Sequence, residues 1–518
     1  MSTKQGIGAV VGVLSAGAGL AASELVSGYL HQRVSPVVAV AESIIRLTPG
    51  WVIEKVISVV GHNDKPLVIT GTLLGLLVVS AIVGVVAMRS LLTAELVFVG
   101  LGLVLLLAVH ARLTSSEATY VPAALGVVVS LVMLATLTPR ALKAAGPNTR
   151  PAEPRVTGAG TPGPAQQSRR DFVRLASIVA AASVVAGIVG RVQAHGRAAI
   201  DAARRALRLN VSAPTEPAGV SVGVKGIAPW LTSQDDFYRI DTALAIPEIL
   251  PQDWSLRIHG MVDNEMTLRY VDLVERGLTE AWLTLCCVSN EVGGNLISNA
   301  WFSGVLIADV LAEAGVQPGA DAVLSRSQDD WTCGTPLSAL TDGRNAMFAV
   351  AMNGEPLAPE HGFPVRMVVP GLYGYVSGTK WVVDFEVTTF DTFTAFWTER
   401  GWSPQGPVKT ESRIDVPPNG DHVSAGQVAV GGVAWAQHTG IAKVEVRVDD
   451  GAWTAAKLGN DPTNDSWRQW AYVWSATKGK HQLQVRATDK SGYTQTGAQA
   501  QVVPNGATGW HTIDVEVD

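Results

Sequence analysis

The chain has 518 residues, enough for three or four domains, and a formal net charge of −6 at pH 7. So small a net charge argues against a nucleic-acid partner, which needs a basic surface. Hydrophobic residues reach 47% and charged residues only 16%, an imbalance that indicates membrane spans, and three cysteines are too few for a disulfide framework.

The first 137 residues are predicted to form a four-span transmembrane region. Residues 35–60 hold two shorter apolar pieces broken by charges, which predicts interfacial or extramembrane helices. The first of the four longer runs is rich in glycine and alanine, a composition that suits close helix packing in lipid. The four runs of about spanning length are Ile7–Ala22, Leu67–Met88, Leu91–Ala111 and Thr119–Leu137.

Residues 138–171 are predicted to be a flexible basic linker. They are rich in proline, glycine, alanine and arginine and show no apolar periodicity, so they cannot bury a core. Between Thr138 and Arg170 the only acid is Glu153, which stands against six basic residues. The positive-inside rule therefore places this linker, and the N terminus with it, in the cytoplasm.

A fifth transmembrane helix is predicted at residues 172–191. The preceding Ser168-Arg-Arg-Asp-Phe172 resembles a twin-arginine export signal, here inside the chain. A basic flank that only orients the helix is the alternative. Either interpretation predicts a multi-pass protein of the bacterial cytoplasmic membrane whose later residues are extracytoplasmic. Residues 192–225 are predicted to be an amphipathic stalk at the membrane surface and a linker.

Two of the three cysteines, Cys286 and Cys287, are adjacent. They follow a strand-like apolar run and precede a polar turn that contains glycine. A thiolate in that position suits a soft metal or a nucleophile, and a buried structural pair is the alternative. Neighbouring cysteines are poorly placed to bridge each other or to chelate one tetrahedral zinc, so a single-thiolate site is favoured over a zinc site.

The segments around and after the cysteines carry a family resemblance. Thr284-Leu-Cys-Cys287-Val-Ser-Asn290, Met352-Asn-Gly354, His361-Gly-Phe-Pro-Val-Arg366 and Gly374–Trp381 together resemble the sulfite oxidase family of molybdopterin-dependent oxidoreductases. The resemblance covers roughly residues 226–518. It implies an α+β molybdopterin-binding domain at residues 226–400, a molybdenum–molybdopterin cofactor and oxygen-atom transfer. It also makes Cys287 the metal ligand and leaves Cys286 at a variable position.

The resemblance also implies which residues hold the cofactor. A pterin dithiolene with a terminal phosphate needs one soft donor, cations for the phosphate and hydrogen-bond partners for the pterin. The family's aromatic-Arg-Asn-His run continues here as Ile240-Asp241, so it carries over only in part. Any one of the basic residues alone is more typical of a solvated surface. The expected cofactor-binding residues are Tyr238, Arg239, Asn290, His361, Arg366, Ser377, Thr379 and Lys380.

The expected substrate pocket departs from the sulfite-oxidising pattern, because positions at which the family carries cations lack them. Each lost cation removes a partner that a small dianion needs, and a buried acid after Asn290 would repel sulfite. We therefore expect a neutral S- or N-oxide as substrate in preference to sulfite. For the aromatic candidates, simple packing is an equal alternative. The candidate pocket residues are Glu291, Trp301, Phe302, Val350 and Tyr375.

Residues 401–518 are predicted to form an all-β module of immunoglobulin-like sandwich type. It resembles the family's dimerisation domain, which implies a homodimer. The tryptophans Trp453, Trp467, Trp470 and Trp474 are core residues in the simpler interpretation and interface anchors in the other. The strand-like runs are Val428–Trp435, Ala442–Asp449, Trp470–Ala476, His481–Thr488 and Ile513–Val517.

Turnover on a small-molecule substrate requires an electron partner. The sequence has no Cys-x-x-Cys-His motif and no cytochrome-type haem domain, so an outside redox partner or a quinone is expected. A non-catalytic cell-surface binding protein with the same fold is the rival hypothesis. A transporter is less favoured, because the N-terminal spans hold few polar residues.

Overall fold

The computed structural model describes residues 3–30, 64–110, 120–145, 164–193 and 197–518, together with a few positions between 38 and 48. The chain divides into two compact units, Met1–Ala198 and Ala199–Asp518. Most of the predicted interfacial segment at 35–60, and residues 146–163 of the predicted linker, lie outside the described residues.

Five helices of the first unit are long and apolar enough to cross a membrane. They agree with the five predicted spans in number, but the fourth continues through Pro139 and ends at Ala144, beyond the predicted limit at residue 137. The fifth begins at Pro164, eight residues before its predicted start, so both ends of the predicted linker are helical. The first is also longer than its apolar run. The five helices are α1 (Thr3–Tyr29), α2 (Asp64–Ala87), α3 (Leu91–His110), α4 (Tyr120–Ala144) and α5 (Pro164–Gln193).

The glycines of α1 allow its neighbours to approach closely. Helix α1 contacts α2, α4 and α5. A Cβ atom added at Gly12 of α1, or at Gly84 of α2, would overlap the backbone of the facing helix. Small residues at such crossings let helices associate in lipid, where no hydrophobic force drives them together. The glycine-rich composition therefore has the packing role that the sequence predicted.

Most of helix α6 (Arg197–Ala206) belongs to the second unit and packs within it. Ile200 is buried in an apolar cluster that includes Phe237 and Leu283. The Nε atom of Arg204 donates a hydrogen bond to the carbonyl of Pro356 at 2.9 Å. The predicted amphipathic helix is present. Part of its apolar side is covered by protein, however, whereas a helix lying at the membrane surface would turn that side toward lipid.

Two five-stranded sheets and three short helices form residues 255–388. The first sheet has the order β2-β1-β10-β5-β6, with β1 and β10 parallel. The second has the order β3-β4-β7-β8, and β9 pairs with β7. The elements are β1 (Ser255–Gly260), β2 (Met266–Arg269), α7 (Tyr270–Val274), β3 (Thr279–Cys286), β4 (Ile297–Leu306), α8 (Ile307–Ala314), β5 (Ala322–Ser327), β6 (Thr332–Pro336), α9 (Leu337–Thr341), β7 (Met347–Met352), β8 (Glu355–Pro356), β9 (Arg366–Val368) and β10 (Val382–Thr388).

The last part of the chain is all β and forms two further sheets. Their orders are β11-β13-β17-β16 and β12-β19-β18-β14-β15, and they enclose a core that contains Trp470 and Trp474. All five predicted strands are present. The strands are β11 (Glu411–Val416), β12 (Asp421–Val423), β13 (Gly426–Trp435), β14 (Ile441–Val448), β15 (Thr454–Ala455), β16 (Lys457–Leu458), β17 (Arg468–Ala476), β18 (Gly479–Asp489) and β19 (His511–Val517).

This C-terminal part holds strand β3 in place just before the twin cysteines. The Thr284 hydroxyl accepts a hydrogen bond from the backbone N–H of Trp467 at 2.7 Å. The Thr284 N–H donates to the carbonyl of Asp465 at 2.8 Å, and the Gln437 side chain donates to the carbonyl of Thr284 at 3.2 Å. The position of the cysteines therefore depends on both parts of the second unit.

Candidate active site

A tight turn at the end of β3 fixes the backbone around Cys287. The Cys287 N–H donates to the carbonyl of Leu296 at 2.9 Å, and its own carbonyl accepts from the Asn290 N–H at 3.1 Å. The Asn290 side-chain oxygen accepts from the Leu296 N–H at 2.8 Å, which closes the loop. Asn290 thus positions the cysteine loop, and its amide nitrogen stays buried without a partner in the described structure.

The two thiols lie in different surroundings. Cys286 belongs to the main apolar core, and burial raises the pKa of its thiol far above the ordinary value. Burial also raises the pKa of Cys287, but hydrogen bonds from Ser289 and the charge of Lys380 oppose that shift. Arg413 opposes the shift at Cys286 as well, so the hydrogen bonds are what distinguish Cys287 as the better-supported thiolate and metal ligand.

Arg366, the first residue of β9, is a buried cation without a counter-ion. Its guanidinium donates only to the carbonyls of Met367 and His361, both at 3.3 Å. Among the residues that the structure describes, no carboxylate lies within ion-pair distance of it. Burial lowers the pKa of Arg366 to about 10. An unpaired buried charge is costly, so this side chain is suited to an anionic group that the protein itself does not supply.

Lys380 lies directly beside Arg366, because the two residues form a β-bridge. Its ammonium donates to Asp241 Oδ2 at 3.2 Å and to the carbonyl of Glu360 at 2.9 Å. Arg239 Nε donates to the same Asp241 oxygen at 2.9 Å. Burial lowers the pKa of Lys380 to about 8, and the Asp241 carboxylate opposes that shift. The structure thus pairs two predicted cations, Arg239 and Lys380, with one carboxylate and places a third, Arg366, next to Lys380.

His361 presents a free acceptor in this region. Its Nε2 donates to the carbonyl of Gln234 at 2.7 Å, while Nδ1 is buried with no hydrogen-bond partner in the described structure. Burial lowers the pKa of His361 to about 4, so the ring is neutral at pH 7. Phe237 packs edge-on against it at 5.5 Å. Tyr238, the next residue, is half-buried, and burial raises the pKa of its hydroxyl far above the ordinary value.

The hydroxyls of Ser377 and Thr379 serve the protein itself. Ser377 Oγ donates to the carbonyls of Tyr373 at 2.9 Å and Leu372 at 3.2 Å. Thr379 Oγ1 shares a hydrogen bond of 2.7 Å with Ser325 Oγ. These two side chains were expected to bind the cofactor. Their contacts instead hold the segment between β9 and β10, which carries Lys380.

The structure gives the expected substrate-pocket residues surroundings that need no substrate. Glu291 is exposed, so the prediction of a buried acid beside the metal ligand is wrong. Its neighbours Val292 to Gly294 are glycine-rich and lie near the surface, which lets the carboxylate reach solvent. Trp301 pairs with Trp282 across β3 and β4 at 4.9 Å, and its Nε1 donates to Glu280 at 3.3 Å. Packing explains this tryptophan.

The remaining three candidates are also packing residues. Phe302 and Val350 are fully buried in two apolar clusters. The Tyr375 hydroxyl donates to the carbonyl of Ser403 at 2.8 Å, and its ring lies 5.8 Å from that of Trp402. None of these contacts requires a ligand, so the packing alternative accounts for both aromatic side chains.

Comparison with known proteins decides the family. The profile of the oxidoreductase molybdopterin binding domain matches residues 243–397. The uncharacterized oxidoreductase YuiH of Bacillus subtilis is 34% identical over 153 residues, which cover 30% of this chain and 74% of that protein. The chain belongs to the sulfite oxidase family of molybdopterin-dependent oxidoreductases. The resemblance expected from the cysteine, histidine and arginine motifs is therefore confirmed.

Two further similarities extend beyond the matched domain. Mitochondrial sulfite oxidase of Homo sapiens is 28% identical over 328 residues, covering 53% of this chain, and the chain spans only 59% of that protein. The structure of the sulfane dehydrogenase SoxCD from Paracoccus pantotrophus aligns with a TM-score of 0.49 at 24% identity, covering 57% of this chain and 85% of that one. The protein is an oxidoreductase, and its family implies a molybdenum–molybdopterin cofactor.

The residues of the site fit such a cofactor. Its phosphate is anionic, and the buried Arg366 lacks an anion. A pterin edge offers donors and acceptors, and His361 Nδ1 and Asn290 Nδ2 are buried and unpartnered in the described structure. The described residues contain no group of three or more His, Cys, Asp or Glu that could hold a metal. A single thiol is the donor set expected when the cofactor supplies the metal's other sulfurs.

Two residues near the site were undervalued by sequence reasoning. Asp241 counted only as a departure from the family pattern, yet it is the counter-ion of Arg239 and Lys380. Tyr373 was not placed in the cofactor site, yet burial and both cysteines raise the pKa of its hydroxyl, as they do for Tyr238. The Asp241 signal was present in the sequence, since an acid placed two residues after an arginine in a cationic site is a natural ion-pair partner.

Proposed function

We propose that the protein is a membrane-anchored molybdenum oxidoreductase that transfers an oxygen atom on a small sulfur- or nitrogen-containing substrate. The favoured direction is reduction of a neutral S-oxide or N-oxide, and sulfite-type oxidation is the second direction. Family membership supports the reaction class. One observation carries the assignment to this site: the uncompensated Arg366 lies beside Lys380 in the domain that holds Cys287.

The residues of the site divide the binding of metal, phosphate and pterin among them. The Cys287 thiolate would hold the metal, with Ser289 and Lys380 favouring its ionised form. Arg366 and Lys380 would bind the cofactor phosphate, and Arg239 supports Lys380 through Asp241. His361 Nδ1 would be available to accept a hydrogen bond from the pterin. The bound cofactor supplies two-electron oxygen-atom transfer chemistry.

The substrate preference rests on the charges near the site. At position 301 a tryptophan bonded to Glu280 stands where the family carries an arginine, so that position supplies no cation for a dianion. Because Glu291 is exposed, it would not repel a dianion in the site, but it supplies no positive charge either. A neutral oxide needs less compensation when it is desolvated. Its reduction follows XO + 2H⁺ + 2e⁻ → X + H₂O, with the electrons supplied by a redox protein or a quinol.

The proposal extends to location and assembly. Helices α1 to α5 are the anchor, and the basic residues from the end of α4 to the start of α5 favour a cytoplasmic position for that segment, which leaves the catalytic domain outside the bacterial cytoplasmic membrane. The twin-arginine-like sequence in the first turns of α5 suits export of a domain already loaded with its cofactor. The two C-terminal sheets are of immunoglobulin-like type and form the surface of a homodimer.

The experiment is a metal and substrate assay on three proteins. The wild type should contain molybdenum and should oxidise a reduced dye with sulfoxides or N-oxides faster than it reduces an oxidised dye with sulfite. Cys287→Ser should lose the metal and the activity yet remain folded. Cys286→Ala, at the adjacent thiol, should retain both. A wild-type protein that binds no molybdenum would favour a non-catalytic binding protein.

A further inference from the structure

A cavity of about 280 Å³ opens at the surface of the C-terminal part of the second unit. Its walls come from the first residue of β11, from the residues just before it, and from the loops before and after residue 500. Tyr493, which is 52% exposed, is part of its lining, so the cavity communicates with solvent. The volume equals the share of roughly nine water molecules in the liquid, which is enough for a small organic molecule.

The buried polar side chains of the wall, with one exception, are satisfied by the protein itself. The Thr410 hydroxyl donates to Asp489 Oδ2 at 2.6 Å. The side-chain oxygen of Gln495 accepts from the Ser412 hydroxyl at 2.7 Å, and its nitrogen donates to the carbonyl of Gly509 at 2.8 Å. These groups hold the loops of the wall together and need no ligand.

Glu411 is the exception. This residue lines the cavity and is only 4% exposed, and its Oε1 atom has no hydrogen-bond partner in the described structure. Lys409 also lines the cavity, but its ammonium donates to the Asn505 side chain at 3.2 Å and to the carbonyl of Gly506 at 2.6 Å. A buried carboxyl that receives no hydrogen bond is costly, so the cavity contains an acid that the protein leaves uncompensated.

This acid determines which kind of molecule suits the cavity. A desolvated carboxylate needs hydrogen-bond donors and a positive charge, and an ammonium group supplies both. Val408 and Tyr493 add apolar surface to the wall, and an aromatic ring attracts a cation to its face. A metal ion is a poorer match, because the described residues contain no group of three or more His, Cys, Asp or Glu that could hold one.

We propose that this cavity binds a small organic amine as its ammonium cation, with the Glu411 carboxylate as the counter-ion. The carboxyl releases its proton to solvent when the cation enters, and the ammonium donates to the carboxylate oxygen that lacks a partner in the protein. The hydrocarbon part of the amine lies toward Val408 and Tyr493. The site uses none of the residues assigned to the cofactor and goes beyond the proposed oxidoreductase function.

The ionisation of Glu411 makes this binding depend on pH. Burial raises the pKa of Glu411 to about 8, and the positive charge of Lys409 opposes that shift. Asp489 is engaged by Thr410, and burial raises the pKa of Tyr373 and Cys286, which also interact with Glu411, far above their ordinary values. Because the bound ammonium requires the ionised acid, the affinity should rise by more than about tenfold between pH 6 and pH 8.

Calorimetric titration of the full-length protein with benzylamine tests the proposal. Benzyl alcohol and benzoate serve as neutral and anionic molecules of similar size, and benzylamine should bind more tightly than either at pH 8. Glu411→Gln should weaken the binding of benzylamine by about tenfold or more, because the amide carries no opposite charge. Tyr493→Ala at the exposed rim should weaken it by a smaller factor. Glu516→Gln on β19, outside the cavity, should match the wild type.

The other results would overturn the proposal. These are equal benzylamine affinity in the wild type and in Glu411→Gln at equal unfolding temperature, or no benzylamine binding to the wild type at pH 8. Tighter binding of benzoate would make this an anion site that uses Lys409. If Glu411→Gln does not fold, the wild-type pH series decides, since equal affinity at pH 6 and pH 8 contradicts a role for the Glu411 charge. Molybdenum content and dye-linked activity are measured separately, so failure here leaves the proposed function intact.

Discussion

Replacing Arg366 by methionine should stabilise the cofactor-free protein while abolishing cofactor retention. The guanidinium is buried and has no carboxylate partner in the described structure. The lowering of its pKa to about 10 corresponds to a burial cost on the order of 3 kcal/mol. Its two hydrogen bonds to backbone carbonyls, both at 3.3 Å, return roughly 2 kcal/mol at most. We therefore expect Arg366→Met to raise the free energy of unfolding by about 1 kcal/mol.

The assay is thermal unfolding of protein made without the cofactor, together with molybdenum content of protein made with it. Arg413→Met is the matched control, because Arg413 is equally buried but is paired with Asp415 at 2.6 Å and bonded to the carbonyl of Gly294. Breaking that pair should destabilise the protein by roughly 3 kcal/mol. If Arg366→Met destabilises the cofactor-free protein as much as Arg413→Met does, Arg366 is a structural residue and its assignment to the phosphate is wrong.

Three further predictions address other parts of the molecule. Gly84→Leu should disrupt the helix bundle and lower the yield of folded protein in detergent, whereas Gly71→Leu, whose added side chain would meet open space, should not. Burial lowers the pKa of His511 to about 4, so the unfolded chain binds this proton at higher pH than the folded protein does, and the free energy of unfolding falls as the pH drops below 6.5. His511→Asn should therefore reduce the loss of stability between pH 7 and pH 5 by about 2 kcal/mol, as measured by thermal unfolding. Asp241→Asn should leave Lys380 without its counter-ion and make added inorganic phosphate stabilise the cofactor-free protein at several-fold lower concentration; an unchanged phosphate dependence would argue against an anion site there.

The sequence was most informative where a single local pattern of apolar residues determined the structure. Apolar length predicted the five helices, and alternation predicted the long C-terminal strands, because burial follows directly from those patterns. Strand β11 was missed because its sequence, Glu411-Ser-Arg-Ile-Asp-Val, reads as polar. Its acid and arginine are buried only through contacts with distant loops, which no local pattern reveals.

In the candidate site, too, the sequence located some residues correctly but could not show the surroundings of others. The family motifs led to Cys287, Arg366, Lys380 and His361, and the structure gives each a position consistent with a cofactor role. Sequence position alone could not show that the Glu291 side chain faces solvent, or that Trp301 packs at a tilt against Trp282. Those outcomes depend on side-chain direction across a sheet, where a shift of one residue exchanges the two faces.

The bond between the Cys287 sulfur and molybdenum is the central claim of this account. X-ray absorption at the molybdenum edge, on wild type and Cys287→Ser loaded in the same host, tests it most directly. The wild type should show one molybdenum per chain with a protein sulfur ligand, and Cys287→Ser should retain little or no molybdenum. Equal sulfur coordination in a Cys287→Ser protein that keeps its full metal content would show that another residue, or the cofactor alone, holds the metal.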